Sequence, residues 1–229
     1  MFWQENTDTT DKYQAPEDIF DLVFKLKGKC LDMDHAYGLA RALQLHLRDD
    51  TCHKIGVHGI HLAESGNGWI RPGPGSASMP LSKRARLVIR LHQDDFDEVS
   101  QITDKQLNVA GQEITPGESS IRKLSLMKTL FSRAVSCDAD QPEADFLSGM
   151  ALELKRMDIE VSKMICGKSG VIGAGDKKIF TRTLLVADLE PQESVTLQRQ
   201  GLGRDRFMGC GLFVAHKGID PVFDFQQPV

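Results

Sequence analysis

The spacing of apolar residues changes period several times along the chain, and each change predicts an element. From Asp18, Phe20, Leu22, Phe24 and Leu26 share one face, while Asp21, Lys25 and Lys27 lie on the other. A period of two over this length predicts a strand, which Gly28 ends. Either Asp32 or Asp34 then caps a helix running to about residue 48, with Ala36, Leu39, Ala40, Leu43 and Leu47 on one stripe. A second strand is expected over about 55–62. After it, ESGNGWIRPGPGSASMP predicts a long exposed loop from its Gly, Pro and Ser content. A third strand covers about 83–91, with Leu87, Ile89 and Leu91 inward and Arg84, Arg86, Arg90 and His92 outward. A short helix over about 94–102 and strands near 107–109 and at Ile114 complete the order βαββαβ.

The same order then recurs without any repeat in the sequence itself. A strand near 128–136 precedes a helix over about 143–157, with Phe146, Leu147, Met150, Leu154 and Met157 on one stripe. Strands near 161–166 and 178–186 follow. Pro191 suits the first position of a helix ending near Gln200. A glycine-rich loop and a last strand close the chain. The prediction is an α+β protein of two tandem ferredoxin-like (βαββαβ) units with a C-terminal glycine-rich loop. Its expected divisions are a flexible tail (1–16), an N-terminal unit (17–120) and a C-terminal unit carrying the loop (121–229).

That loop, RQGLGRDRFMGCGLFVAHK over 199–217, is the richest stretch for chemistry. It holds Gly201, Gly203, Gly209 and Gly211, with Arg199, Arg204 and Arg206 among them and Lys217 at its end. Glycine permits φ > 0 and close backbone approach; arginine offers a planar fork of donors that suits phosphate. The run reads as an anion-binding loop feeding a buried strand at Leu212-Phe213-Val214, against the plainer alternative of a turn with solvated arginines. A dinucleotide fingerprint is excluded, because Arg206 stands where its third glycine belongs. A P-loop is excluded because Gly167-Lys168-Ser169 has Ser162 at the first glycine position.

The pattern G-L-G-x-x-R-x-x-G-C-G-L-F resembles the glycine-rich loop of the repeat-associated RNA-binding proteins of CRISPR systems. Within them it resembles the Cas6 family of endoribonucleases, closest to the Myxan-type branch; Ala215 departs from the proline of that branch. A second matching stretch is Asp34-His35-Ala36-Tyr37-Gly38-Leu39. The resemblance spans nearly the whole chain. It implies tandem ferredoxin-like units, a CRISPR repeat-RNA hairpin as substrate, and other subunits of a Cascade-like effector complex as partners. It also implies metal-independent cleavage through the 2′-hydroxyl, leaving a 2′,3′-cyclic phosphate and a 5′-hydroxyl. The runner-up is a non-catalytic RNA-binding subunit of such a complex.

Composition narrows this picture in three ways. The 229 residues carry a net charge of −4, which excludes indiscriminate nucleic-acid binding over the whole surface but allows a local basic groove. No apolar run approaches the roughly 18 residues that span a bilayer. The polar, acidic start has no signal-peptide pattern, so no membrane association and a cytoplasmic location are expected. Five scattered cysteines without a C-x-x-C pair predict reduced thiols and no zinc site. No cofactor is expected.

Candidate RNA contacts are Lys83, Arg84, Arg86 and Arg90 at a loop–strand junction, joined by Arg199, Gly201, Gly203, Arg204, Arg206, Gly209, Gly211 and Lys217. Arg122, Lys123 and Lys128 form a weaker second cluster. Among seven histidines, His35 stands at the predicted helix start, where the helix favours a neutral ring and Asp34 opposes it. Alone, His35 would read as part of a helix start. The resemblance assigns it proton transfer, with Tyr37 assisting. His58 and His61 read as packing or RNA contacts.

Overall fold

A computed structural model describes residues 13–61 and 78–216. The first sheet has five strands in the order β3-β5-β1-β7-β6. They are β1 (Ile19–Gly28), β3 (Gly56–Val57), β5 (Arg86–His92), β6 (Leu107–Val109) and β7 (Gln112–Lys123). Helices α1 (Ala36–Gln44), α2 (Asp49–Lys54) and α3 (Phe96–Ser100) accompany it, with a small separate pair of strands, β2 (Cys30–Asp32) and β4 (Ser78–Pro80). The second sheet has the order β11-β8-β10-β9, from β8 (Leu130–Cys137), β9 (Lys163–Ala174), β10 (Lys177–Ala187) and β11 (Val214–Ala215). Helices α4 (Glu143–Arg156) and α5 (Pro191–Gln200) belong to it. In each sheet the first strand of a βαββαβ order lies centrally between the third and the fourth, the arrangement that order produces.

The central strands form where apolar alternation marks them. Phe20, Leu22, Phe24 and Leu26 of β1 join Leu87, Ile89 and Leu91 of β5 and Leu39 and Leu43 of α1 in one core. Leu130, Val135, Phe146, Leu154, Leu184, Leu197 and Phe213 form the second. Burying each such side chain favours folding by about 1.5–3 kcal/mol. Pro191 begins α5, with Glu190 and Glu193 forming a capping box.

Several expectations change. The helix expected to reach residue 48 stops at Gln44, and α2 starts again at Asp49. The Glu98 carboxylate accepts from Arg48 N–H at 2.6 Å and from the Thr51 hydroxyl at 2.9 Å, which fixes the restart. The second strand shrinks to Gly56–Val57. Strand β7 runs for 12 residues, because Pro116 sits opposite Leu26 beside a bulge in β7 itself, where Gly117 and Glu118 oppose Lys25, and does not end the pairing. Strand β9 extends through the glycines to Ala174, held by β10 along its length. The tail expected up to residue 16 is packed from Tyr13 on, against Ile19, Leu124 and Val195. The rest of that tail and most of the expected loop lie outside the described residues, although Ser78–Pro80 are strand. All five cysteines are free. Among the described residues no helix is long and apolar enough to cross a membrane.

Candidate nucleic-acid interface

The face of the first sheet opposite its core forms the floor of a cleft. Strand register places Lys25 beside Arg86, Val23 between Val88 and Ser120, and Asp21 between Arg90 and Arg122. Ser125, Arg133 of β8, Gln198 of α5 and Val214 of β11 close this floor from the second half of the chain. The compartment holds about 450 Å³, with Arg84, Arg86, Arg122, Lys123 and Arg133 lining it. Concentrated cations in a low-dielectric cleft attract a phosphate backbone whatever the net charge.

Arg90 requires a correction, because it does not reach outward into solvent. It does lie on the face opposite Leu87 and Ile89, but only 1% of it is exposed. Its Nε and Nη2 donate to Asp21 at 2.8 and 3.1 Å, and Nη1 donates to the carbonyls of Gln198 and Phe213 at 3.0 and 2.8 Å. The guanidinium therefore bolts β5 to the end of α5 and to the residue before β11. Arg122 adds a 2.9 Å bond to the same Asp21 carboxylate. Burial pushes the Asp21 carboxyl up, but the neighbouring His58 ring and the Arg90 guanidinium outweigh it and hold it far below the usual carboxylate range.

A second compartment of about 390 Å³ continues from the first, sharing His58, Gly59, Arg133 and Val214 with it. His35 lines it together with Met33, Phe131, Val171 and the Met208-Gly209 backbone. His35 is the N-terminal boundary residue of α1, yet its side chain makes no cap bond. Instead Nδ1 donates to the Asp32 carbonyl at 2.8 Å, and Nε2 accepts from Ile60 N–H at 2.9 Å. These partners fix the tautomer with the proton on Nδ1. Burial lowers the pKa of the ring against the opposing pull of the Asp32 and Met33 carbonyls and of Asp34, so it is neutral at pH 7. Asp34 itself turns to the other sheet, where its Oδ2 accepts from Gly173 N–H at 2.8 Å.

Tyr37 does not share this compartment. It is 38% exposed and opens on a third one, of about 480 Å³, beside Arg41, His53, Arg204 and Arg206. The segment 203–209 separates the two, and Met208 lines both.

The glycine loop is held by backbone proximity. Gly201 and Gly211 have φ of 71° and 66°, and Leu202 N–H donates to the Gly211 carbonyl at 3.1 Å. A Cβ on Gly201 would lie 2.5 Å from that carbonyl oxygen, and one on Gly211 would run into the Leu202 carbonyl. Only glycine fits where two backbones pass this closely. Gly203 lies against Ser136, and Gly209 against Val57 and Gly59. Of the arginines here, Arg199 pairs with Asp18 at 2.8 Å. Arg206 donates to the Arg199 carbonyl at 3.0 Å, and its buried Nε has no partner among the described residues. Arg204 anchors only its backbone, donating to the Ser136 hydroxyl at 3.0 Å, and its side chain is exposed. Lys83 and Arg84 are exposed, whereas Arg86 donates to the Lys83 and Ala85 carbonyls. Lys217 lies outside the described residues.

Sequence reasoning missed Arg133 altogether. Its guanidinium stands 2.7 Å from the His61 ring, 72 residues away, a separation that local patterning does not reveal.

Two βαββαβ-ordered sheets, with residues of both halves lining one basic cleft, define an α+β protein with a cationic groove. The family profile described as Cas6 Crispr matches residues 20–218, and the chain belongs to this family of CRISPR-associated endonucleases. It is 26% identical over 194 residues to the CRISPR-associated endonuclease Cas6 of Myxococcus xanthus (strain DK1622), covering 85% of this chain and 80% of that one. Among solved structures it resembles a CRISPR-associated protein Cas6 with a TM-score of 0.63 at 12% identity, covering 87% of this chain and all of that one (100%). It also resembles a Cas6-related protein of Pyrococcus furiosus, with a TM-score of 0.55 at 10% identity over 85% of this chain and 97% of that one. At these identities the structural likenesses establish the shared fold.

Proposed function

We propose that this chain cuts CRISPR repeat RNA within a hairpin substrate, retains the product and hands it to an effector complex. The observation that carries this reading is the continuous cleft, basic along the first sheet and ending at a buried neutral histidine. RNA brings its own nucleophile, the 2′-hydroxyl. His35 Nε2 already accepts a hydrogen bond, from Ile60 N–H. A 2′-hydroxyl that takes the place of this amide donates to the same lone pair, and His35 then acts as the general base. The 2′-oxygen attacks phosphorus, the bond to the 5′-oxygen breaks, and a 2′,3′-cyclic phosphate and a 5′-hydroxyl result. The exposed arginines of the cleft offset phosphorane charge. Tyr37, across the 203–209 segment, assists by holding a flanking nucleotide. Arg204, in the same compartment as Tyr37, takes a phosphate there.

A second reading, a non-catalytic RNA-binding subunit, is favoured by the engagement of both His35 ring nitrogens. Incubation of a repeat hairpin with the protein in EDTA separates the two. The nuclease reading expects cleavage that a 2′-deoxy nucleotide 5′ of the scissile phosphate abolishes while binding persists. A stable complex without cleavage of the all-ribose hairpin establishes the second reading, and cleavage of the deoxy substrate removes the 2′-hydroxyl mechanism.

A further inference from the structure

We infer that His58 is the acid that protonates the departing 5′-oxygen when RNA is cut in this cleft; the assignment rests on the endoribonuclease reading above. Its place comes first. The His58 N–H donates to the Val88 carbonyl at 2.9 Å, which fixes the residue against β5 just after β3 ends. Its ring lines both the basic compartment and the compartment of His35. A phosphate tracking along the arginines reaches His35 past this ring.

The state of the ring is the second observation. His35 is locked at both nitrogens, whereas His58 Nε2 is buried and has no hydrogen-bond partner among the described residues. It stands 3.6 Å from Asp21 Oδ1, just beyond bonding distance. Only 15% of the His58 side chain and 4% of that of Asp21 are exposed. A neutral ring beside Asp21 carries its proton on Nε2, the nitrogen that faces the carboxylate. A second proton, on Nδ1, makes an imidazolium that Asp21 holds and that can donate.

The surrounding charges set when that happens. Asp21 on β1 favours the charged ring; Arg90 on β5 and Arg122 on β7 oppose it, and Arg133 on β8 lines the same cleft. Burial and the two opposing arginines keep His58 neutral, even against Asp21. Phosphates entering the cleft offset those cations and leave Asp21 to hold an imidazolium. The acid is thus loaded by the arrival of substrate. The step balances: His35 takes the 2′-hydroxyl proton, the phosphorus–5′-oxygen bond breaks, and His58 gives its Nδ1 proton to that oxygen. Solvent then returns one proton from His35 to His58. Asp21 acts through His58 as a positioning residue.

Bridging sulfur provides the test, because a thiolate leaves without needing a proton. Single-turnover cleavage is compared on a repeat hairpin with an ordinary 5′-oxygen and on one with 5′-bridging sulfur at the cut. His58→Gln is expected to lose about 10²- to 10⁴-fold on the oxygen RNA. On the sulfur RNA it should stay within about threefold of the unsubstituted protein, since only the leaving-group step is impaired. The unsubstituted protein supplies a measurement independent of any folding defect: its rate should fall on the alkaline side with the oxygen RNA and stay level with the sulfur RNA. Equal losses by His58→Gln on both RNAs with hairpin binding intact overturn the assignment, as does an alkaline fall common to both RNAs. Failure of the unsubstituted protein to cut either RNA removes the endoribonuclease reading, and this inference with it.

Discussion

Arg90→Ala distinguishes a structural bolt from a phosphate contact. The substitution removes two bonds to Asp21 and two to carbonyls of the second half of the chain, at the end of α5 and just before β11, all from a residue 1% exposed. Removing one partner of a buried pair costs about 3–5 kcal/mol, because the remaining charge stays desolvated. Here Arg122 still reaches Asp21 at 2.9 Å, but its side chain is 55% exposed and screened, so it offsets little of the loss. Two buried carbonyls are orphaned as well. The expected loss therefore lies in the upper part of that range. With a urea slope of roughly 3 kcal/mol per molar, the unfolding midpoint falls by about 1–2 M. The assay is equilibrium urea unfolding followed by circular dichroism, with Arg90→Lys keeping the charge but not the four-bond fork and losing less. A phosphate contact behaves oppositely: stability holds, and the salt slope of RNA binding flattens by about one counterion. Stability within about 0.5 kcal/mol of the parent, the range of ordinary surface substitutions, would refute the bolt.

The same network makes stability pH-dependent. Asp21 has a depressed folded pKa, so its contribution is complete above the ordinary carboxylate value and is lost as pH falls below it. Acid unfolding should steepen below about pH 4 and lose that component in Asp21→Asn. The buried neutral His35 adds an earlier component: its stability is full above the ordinary histidine pKa and declines as pH falls below about 6.5. In cleavage, His35→Ala should lose about 10²- to 10⁴-fold in single-turnover rate while still binding the hairpin; an unchanged rate would reassign the base. Arg204→Ala should weaken binding and reduce the salt slope by about 0.7–0.9, as loss of one phosphate contact requires; an unaltered slope would make Arg204 an ordinary surface residue. Gly211→Ala should unfold or displace the loop, because its Cβ has no space beside the Leu202 carbonyl; a melting temperature and hairpin affinity equal to the parent's would contradict this.

Much of the fold was legible because its central strands each bury one face. Phe20, Leu22 and Phe24, and likewise Leu87, Ile89 and Leu91, announce their period directly. The same alternation misplaced Arg90. It identified the face opposite the core correctly but could not show that a second sheet covers that face. Asp21 was hidden for the same reason, and with it the partner of His58. The break between α1 and α2 was masked by a stripe that runs on through Leu47, and the residue that enforces it, Glu98, lies 50 positions from Arg48. The strands expected at 161–166 and at Ile114 came out short, since local propensity does not contain the long ladders that β10 and β1 provide. The histidine at the start of the first helix was legible, but its reason for neutrality was not: burial dominates there, not the helix end.

The cleft exists only because the two sheets are tied together, and the ties explain the otherwise costly features around it. Arg90 reaches from β5 to the carbonyls of Gln198 and Phe213. Asp34 reaches from the start of α1 to Gly173 of β9. Phe207 packs on the first core while Leu202 and Phe213 belong to the second, so the glycine loop bridges both. A chain that is acidic overall presents a basic groove because these ties consume particular charges. Asp21 neutralises Arg90 inside, Asp18 holds Arg199 aside, and Arg84 and Arg133 stay exposed on the cleft. The position of the groove's free cations relative to His35 therefore depends on buried residues away from its surface. A substitution at a tie moves the arginines of the floor relative to His35, and it should lower the cleavage rate more than it lowers binding, since phosphate attraction tolerates displacement and in-line attack does not.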